Sequence, residues 1–287
     1  MFPSLESRYL AQVLKERELA AASNDFRTRV RYDLEARPSY AFGLLAAADV
    51  ARFCGASRIT AIEFGVAEGG GLRNLAQLAE SVTRETGVAI DIVGFDTGSG
   101  LPPLKDFRDH PEIWSAGDFS VLDRVAFDES LPEGARMLWG DIAETMSGFT
   151  AGLDEVAPVG FVSVDVDIYT STRSALKLFL ADSDKLLPVV VTYFDDTLGG
   201  PERIGSLFRN RWAGQLLAID EFNAAHATRK IDVIRTLRDR RPLHHEQWLR
   251  QTYGVHILDH PFRNRLAARD PFSMDGHRTW PAMKWPL

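Results

Sequence analysis

Between Ile59 and Phe194, strand-length apolar runs alternate with helix-like stretches, and several of the runs end on glycine or an acid. The runs are Ile59 to Val66, Ala89 to Phe95, Arg136 to Trp139, Gly160 to Val166 and Leu187 to Phe194, most of them rich in β-branched or aromatic residues. Leu72 to Thr86 and Thr172 to Ala181 read as intervening helices. Strand alternating with helix predicts an α/β fold, a doubly wound, mostly parallel sheet with helices on both faces. In such a sheet, ligands bind beyond the carboxyl ends of the strands.

Outside this region the pattern is simpler. Leu5 to Arg29, rich in Ala, Leu, Glu and Arg, predicts helix, as does Tyr40 to Phe53 with Gly55 as its stop. Pro201 to Arg238 reads as mostly helical and Tyr253 to Leu258 as one more strand. The tail from Arg263, with Pro271, Pro281 and Pro286, reads as irregular. The expected division is a helical cap over residues 1–56, a main domain over 57–262 and a tail over 263–287.

Composition narrows the function classes. The 287 residues carry 33 Lys plus Arg against 40 Asp plus Glu, a net charge of -7, which gives a nucleic-acid partner no basic face. The basic stretch Arg235 to Arg241 is expected to be a solvated helix face. No run approaches the length of a membrane span and the first residues lack a signal-peptide pattern, so a soluble, cytoplasmic protein with no membrane partner is expected. The single cysteine, Cys54, is expected to be a small buried hydrophobe, and a lone thiol suits a reducing compartment.

Five clusters at predicted strand ends carry the chemistry. After the first strand come Glu63, Gly65, Glu68, Gly69 and Gly71, a glycine turn leading into a helix. The spacing is neither Gly-x-Gly-x-x-Gly nor a P-loop, and Glu68 inside the turn would repel a pyrophosphate. A cofactor bearing a sulfonium and an ammonium fits better. Asp96 ends the second strand, where a carboxylate can accept from both ribose hydroxyls. Asp141 could accept from an adenine amino group while Ile142 packs on the ring; Gly140-Asp141 is equally a common turn pair. Asp165-Val166-Asp167 and Asp195-Asp196 would bring up to four carboxylates to one rim, a crowding that calls for a cation. All-oxygen ligation points to Mg²⁺, with Mn²⁺ or Ca²⁺ as alternatives. Asp167 is also a candidate cap for the helix that follows.

Taken in order, these motifs are familiar. Glu63-Phe64-Gly65-Val66, Gly94-Phe95-Asp96 with Gly100-Leu101-Pro102, Gly140-Asp141 with Thr145, Val164 to Tyr169 with Ser171-Thr172, and Asp195-Asp196 together resemble the macrocin O-methyltransferase family of sugar O-methyltransferases. The resemblance spans about Ile59 to Gly200. It implies a class I methyltransferase, Rossmann-like fold, S-adenosylmethionine, and a divalent cation, usually Mg²⁺, held by Asp165, Asp195 and Asp196. It also implies cofactor roles for Glu63, Gly65 and Asp96, with Asp141 near the adenine. Gly100 to Pro102 and Trp114 to Asp118 match a segment that covers the active site in relatives. Two departures concern the acceptor side: Leu186-Leu187-Pro188 replaces a Gly-Gly-Tyr turn, and Thr197 replaces an aromatic residue.

The expected activity is therefore metal-assisted methyl transfer to a hydroxyl of a sugar or glycosylated small molecule, with Asp165 and His256 as catalytic residues. His260 and His110 are further candidates for the general base. Two rivals stand beside it. Asp165-Val166-Asp167 is formally the Asp-x-Asp of metal-dependent nucleotide-sugar glycosyltransferases, and a cofactor-binding protein without activity could keep the same fold. A homo-oligomer is compatible with the sequence.

Overall fold

The computed structural model describes residues 5–120, 123–198 and 207–267. A seven-stranded sheet runs in the order β3-β2-β1-β4-β5-β7-β6. Its strands are β1 (Arg58–Phe64), β2 (Ala89–Asp96), β3 (Ala135–Trp139), β4 (Val159–Val164), β5 (Leu186–Phe194), β6 (Arg229–Val233) and β7 (Thr252–Ile257). Pairings among β1 to β5 are parallel, and β7 runs antiparallel to both neighbours. The doubly wound, mostly parallel sheet expected from the sequence is thus present.

Alternation along the central strands feeds two cores. Ile59 and Ala61 of β1, Phe161 of β4 and Val191 of β5 face α3 (Pro38–Cys54) and α4 (Gly70–Thr86). Ile62, Phe64, Val162, Val164, Val190 and Phe194 face the other way, toward α6 (Ile142–Ala151), α7 (Tyr169–Leu176) and α8 (Gly214–Ala225). Helix α3 is almost wholly buried; its alanines let it lie close to the sheet, and Gly55, at φ +85°, ends it as expected. Because side chains alternate, Glu63, Ser163 and Tyr193 also point to the α3 side.

Register fixes the functional rim. Phe64 pairs with Phe95 and Val164, Val164 with Phe194, and Asp96 with Trp139. The residues that follow these pairs, Gly65, Thr97, Gly140, Asp165 and Asp195, therefore emerge along one edge, with the strand order reversing between β1 and β4.

Several expectations are corrected. The predicted helix from Leu5 to Arg29 is two, α1 (Leu5–Ala21) and α2 (Phe26–Arg31). Asp25 breaks it by accepting from the Thr28 amide at 2.9 Å, a local bond that outweighs helix propensity. Pro201 to Arg238, expected to be mostly helical, is helical over about half of its described residues: residues 201–206 lie outside them, and the rest holds α8, the edge strand β6 and most of α9 (Arg235–Arg240). Charged Arg229, Lys230 and Asp232 obscured that strand, though charge is what an edge strand uses against further pairing. Arg241, expected on a solvated face, is 2% exposed and ion-pairs with Asp33. From Arg263 the chain stays helical through Ala267 as α10 (Pro261–Ala267), and the rest of the tail lies outside the described residues.

Pro188 sits in β5 where the pairing with β4 slips from Val159–Leu186 to Phe161–Val191, so the missing proline amide falls in an irregular stretch. Cys54 is half-buried, and burial pushes its thiol up to about 11, which keeps it protonated and unreactive. Among the described residues no helix is long and apolar enough to cross a membrane.

Candidate functional site

A cavity of about 910 Å³ opens at the carboxyl rim. Glu63, Gly65, Glu68, Gly71, Asp96, Asp141, Ile142, Asp165, Asp195 and Asp196 all line it. Gly69 does not; it takes φ +83° as the N-cap of α4.

The β1–α4 turn is held from below and from the side. Gly65, at φ +82°, passes so close to the Asp165 carbonyl oxygen that a Cβ would overlap it. Asp96 brackets the turn, one carboxylate oxygen accepting from the amides of Val66 and Ala67 at 2.9 Å each and the other from Gly98 at 2.6 Å. Its foremost role in the folded chain is therefore to shape the glycine turn, a use the sequence did not disclose. Asp141 caps α6 through the Ala143 amide at 2.7 Å, so the turn role weighed for it is present too.

Beneath the turn, Glu63 is 2% exposed and lies against Gly71. Tyr40 of α3 donates to Glu63 Oε1 at 2.7 Å and shares a hydrogen bond of 2.8 Å with Ser163, while Glu63 Oε2 has no partner. Neither Tyr40 nor Ser163 stood out in the sequence, because a tyrosine in an apolar helix and a serine in an apolar strand read as core. Burial pushes the Glu63 carboxyl from 4.5 up to about 7, despite the Tyr40 hydrogen bond and the nearby Arg37 charge. Because the folded pKa is the higher one, the folded state holds this proton more tightly, and stability falls as pH rises between the two values. Relative to wild type, Glu63→Gln is expected to gain about 2–3 kcal/mol as the pH of a denaturant titration rises from 4.5 to about 7. A stability difference that stays constant over that range would contradict the buried, unpaired state of Glu63.

On the other side of the switch point lies the acid cluster. Carboxylate oxygens of Asp165, Asp167 and Asp196 come within 4.8 Å of one another. Burial, then mutual repulsion, raises the carboxyl of Asp165 well above its ordinary range and that of Asp167 to about 8. Asp196 is raised to about 6 by burial, with Arg209 opposing. Asp195, expected as the third ligand, accepts from the Tyr193 hydroxyl at 2.7 Å and is the foremost neighbouring charge acting on Asp165. Asp167 does not cap α7: it sits at φ +61°, and its amide donates to Asp196 at 3.1 Å. The α7 start is served from far away by the buried Asp109, which accepts from the Thr170 amide at 2.8 Å and ties the segment after β2 to this helix.

Three supports come from beyond β5 and could not be located from sequence. Gln215 of α8 accepts from the Asp196 amide at 2.9 Å and donates to the Val164 carbonyl at 3.0 Å. Arg209 pairs with Asp196 at 3.1 Å and lies over the Trp114 ring, and Gln251 donates to the Asp195 carbonyl. Trp248 and Gln251 also line the cavity, beside Trp114 and Phe119 of the segment after β2. That segment is closed by two backbone bonds, Leu101 to Asp118 at 2.9 Å and Gly117 to Leu101 at 2.8 Å.

The histidine expectation is corrected. Since β7 is antiparallel, Thr252 lies at the functional rim opposite Tyr193, whereas His256 pairs with Val189 near the start of β5. Four residues of strand separate the two positions, roughly 13 Å. His260 bonds the Leu186 carbonyl at that same far edge, and His110 pairs with Glu112. No histidine among the described residues lines the cavity.

The strand order, the single reversed strand β7 and the glycine turn at the switch point define a class I methyltransferase fold of the Rossmann-like type. No protein-family model matches the chain, and no curated protein matches it. Among solved structures, the chain is similar to the calicheamicin methyltransferase CalS11, at 18% identity over 89% of this chain and 94% of that one, with a TM-score of 0.48. The O-methyltransferase NovP is similar at 16% identity over 76% and 79%, with a TM-score of 0.45. The plantazolicin methyltransferase BpumL, solved with SAH, stands at 10% identity over 88% and 99%, with a TM-score of 0.33. At that level of similarity the chemistry has to come from the cavity itself.

Proposed function

We propose that the protein is an S-adenosylmethionine-dependent O-methyltransferase acting on a hydroxyl of a sugar or glycosylated small molecule, assisted by a divalent cation. The observation that carries this is the meeting, in one cavity, of a glycine turn over a buried carboxyl with a crowded carboxylate cluster across the switch point. The first suits a cofactor with cationic groups, the second a hard cation. Asp141 and Ile142 would flank the adenine, and Asp96 keeps one acceptor site, on the oxygen that Gly98 uses, for a ribose hydroxyl.

Asp165, Asp167 and Asp196 fit an oxygen-bound divalent cation, because one half-buried and two buried carboxylates share a space in which Arg209 is the paired cation. Asp195 would join them while keeping its Tyr193 bond, since a carboxylate offers two oxygens. When bound, such an ion would lower the pKa of an acceptor hydroxyl. The protein's own share is placement: Trp114, Phe119 and Trp248 offer flat apolar surface to a sugar ring, and Gln251 offers an amide. With no histidine among the described residues on the wall, the proton would leave to a carboxylate such as Asp167 or to water.

Calorimetric titration with S-adenosylmethionine, with and without Mg²⁺, tests the reading. Wild type should bind saturably, and Asp96→Ala, which frees the Val66 and Ala67 amides, should bind about 10-fold or more weakly. An absence of binding in wild type under both conditions rejects it and turns attention to nucleotide sugars at Asp165-Val166-Asp167.

A further inference from the structure

Asp195 and Asp196 follow β5 in one short turn, and the fold holds their carboxylates in different ways. Both oxygens of Asp196 are engaged: Oδ1 pairs with Arg209 at 3.1 Å, and Oδ2 accepts from the Asp167 amide at 3.1 Å. Asp195 is held by one oxygen. Its Oδ1 accepts from the Tyr193 hydroxyl at 2.7 Å, which leaves Oδ2 for the cavity that Asp195 lines.

The donor in that bond is firmly seated. Tyr193 pairs within the sheet with Ser163 of β4 on one side and Thr252 of β7 on the other. Its ring meets the buried Tyr40 edge-on, with centroids 6.0 Å apart. A phenol has one proton to give, and the contact with Gln251 Oε1 is longer, at 3.4 Å, so the proton goes to Asp195. Gln251 in turn donates from its amide nitrogen to the Asp195 carbonyl, which fixes the backbone that carries the carboxylate. Packing alone would be served by phenylalanine here: Val191, two residues back on the same face, belongs to the apolar core, and only the hydroxyl reaches the acid. A carboxylate fixed in advance loses less rotamer freedom when an ion arrives. Resting on the divalent-cation reading above, we propose that Tyr193 is a positioning residue for the cation, which takes Oδ1 of Asp195 and so keeps Oδ2 turned to the space shared with Asp165 and Asp167. Asp196 keeps its Arg209 pair in this arrangement, and Asp195 supplies the oxygen that Asp196 has already committed.

Tyr193→Phe removes the hydroxyl and keeps the ring against Tyr40. Mg²⁺ titrated calorimetrically into the full chain should bind this variant about 10-fold or more weakly than wild type, the usual scale for losing the hydrogen bond behind a metal ligand. Affinity for S-adenosylmethionine, measured in chelator, should stay within about two-fold of wild type, which also shows that the variant is folded. In an Asp195→Asn background, itself weakened toward Mg²⁺, Tyr193→Phe should add no further loss, because the tyrosine acts through that aspartate. Unchanged Mg²⁺ affinity in Tyr193→Phe, or a further loss in the Asp195→Asn background, overturns the assignment while the cation reading stands, since wild type still binds the ion. A parallel loss of Mg²⁺ and S-adenosylmethionine affinity also overturns it, because damaged packing would weaken both. Wild type binding no Mg²⁺ overturns the assignment and the cation reading together.

Discussion

Asp165→Asn is expected to lower methyl transfer by about 10³-fold or more, the scale of losing charge placement at a reacting centre. The same substitution should raise the Tm in metal-free buffer by a few degrees. The opposite signs share one cause. Carboxylates of Asp165, Asp167 and Asp196 crowd within 4.8 Å, so removing one carboxyl removes the cost of ionising it there, or of holding it protonated, that the fold otherwise bears. The arrangement is costly to the empty protein and useful to a bound cation. Mg²⁺ should accordingly raise the Tm of wild type and leave that of Asp165→Asn unchanged. Differential scanning with Mg²⁺ and with a chelator reads this without any assay of turnover. Full activity in the variant, or equal stabilisation of both proteins by Mg²⁺, would remove the cation from the site.

Gly65→Ala should destabilise the fold by about 3 kcal/mol or more and abolish cofactor binding. Gly65 sits at φ +82°, where an L side chain is strained, and its missing Cβ leaves room for the Asp165 carbonyl oxygen. That neighbour is backbone of β4's end, so no rotamer change relieves the overlap; β1 and β4 must part at the switch point. Gly87→Ala separates the two effects. Gly87 has a similar φ of +77° but nothing within 4 Å of an added Cβ. It should cost only the backbone term, roughly 1 kcal/mol. Urea titrations of the two variants give the comparison, and a Gly65→Ala protein no less stable than Gly87→Ala would refute the close approach.

The rim was legible because local signals and register agree. Each of the five parallel runs hands over to glycine or an acid just where its strand ends. The same alternation explains what stayed hidden. Tyr40, Ser163 and Gln215 serve the site through contacts between elements distant in the chain, and one side chain in an apolar segment carries no mark of such a partner.

The sequence by itself determined the α/β class, the succession of parallel strands and the residues at their carboxyl ends, since hydrophobic periodicity and turn chemistry act over a few neighbouring residues. Only the tertiary structure decided the direction of β7, and with it that Thr252 rather than His256 reaches the rim. It also decided that Asp167 joins Asp165 and Asp196, and that Asp195 beside them is held by the Tyr193 hydroxyl. Strand direction and carboxylate orientation depend on which partners the folded chain brings within a few ångströms, and no local pattern encodes that.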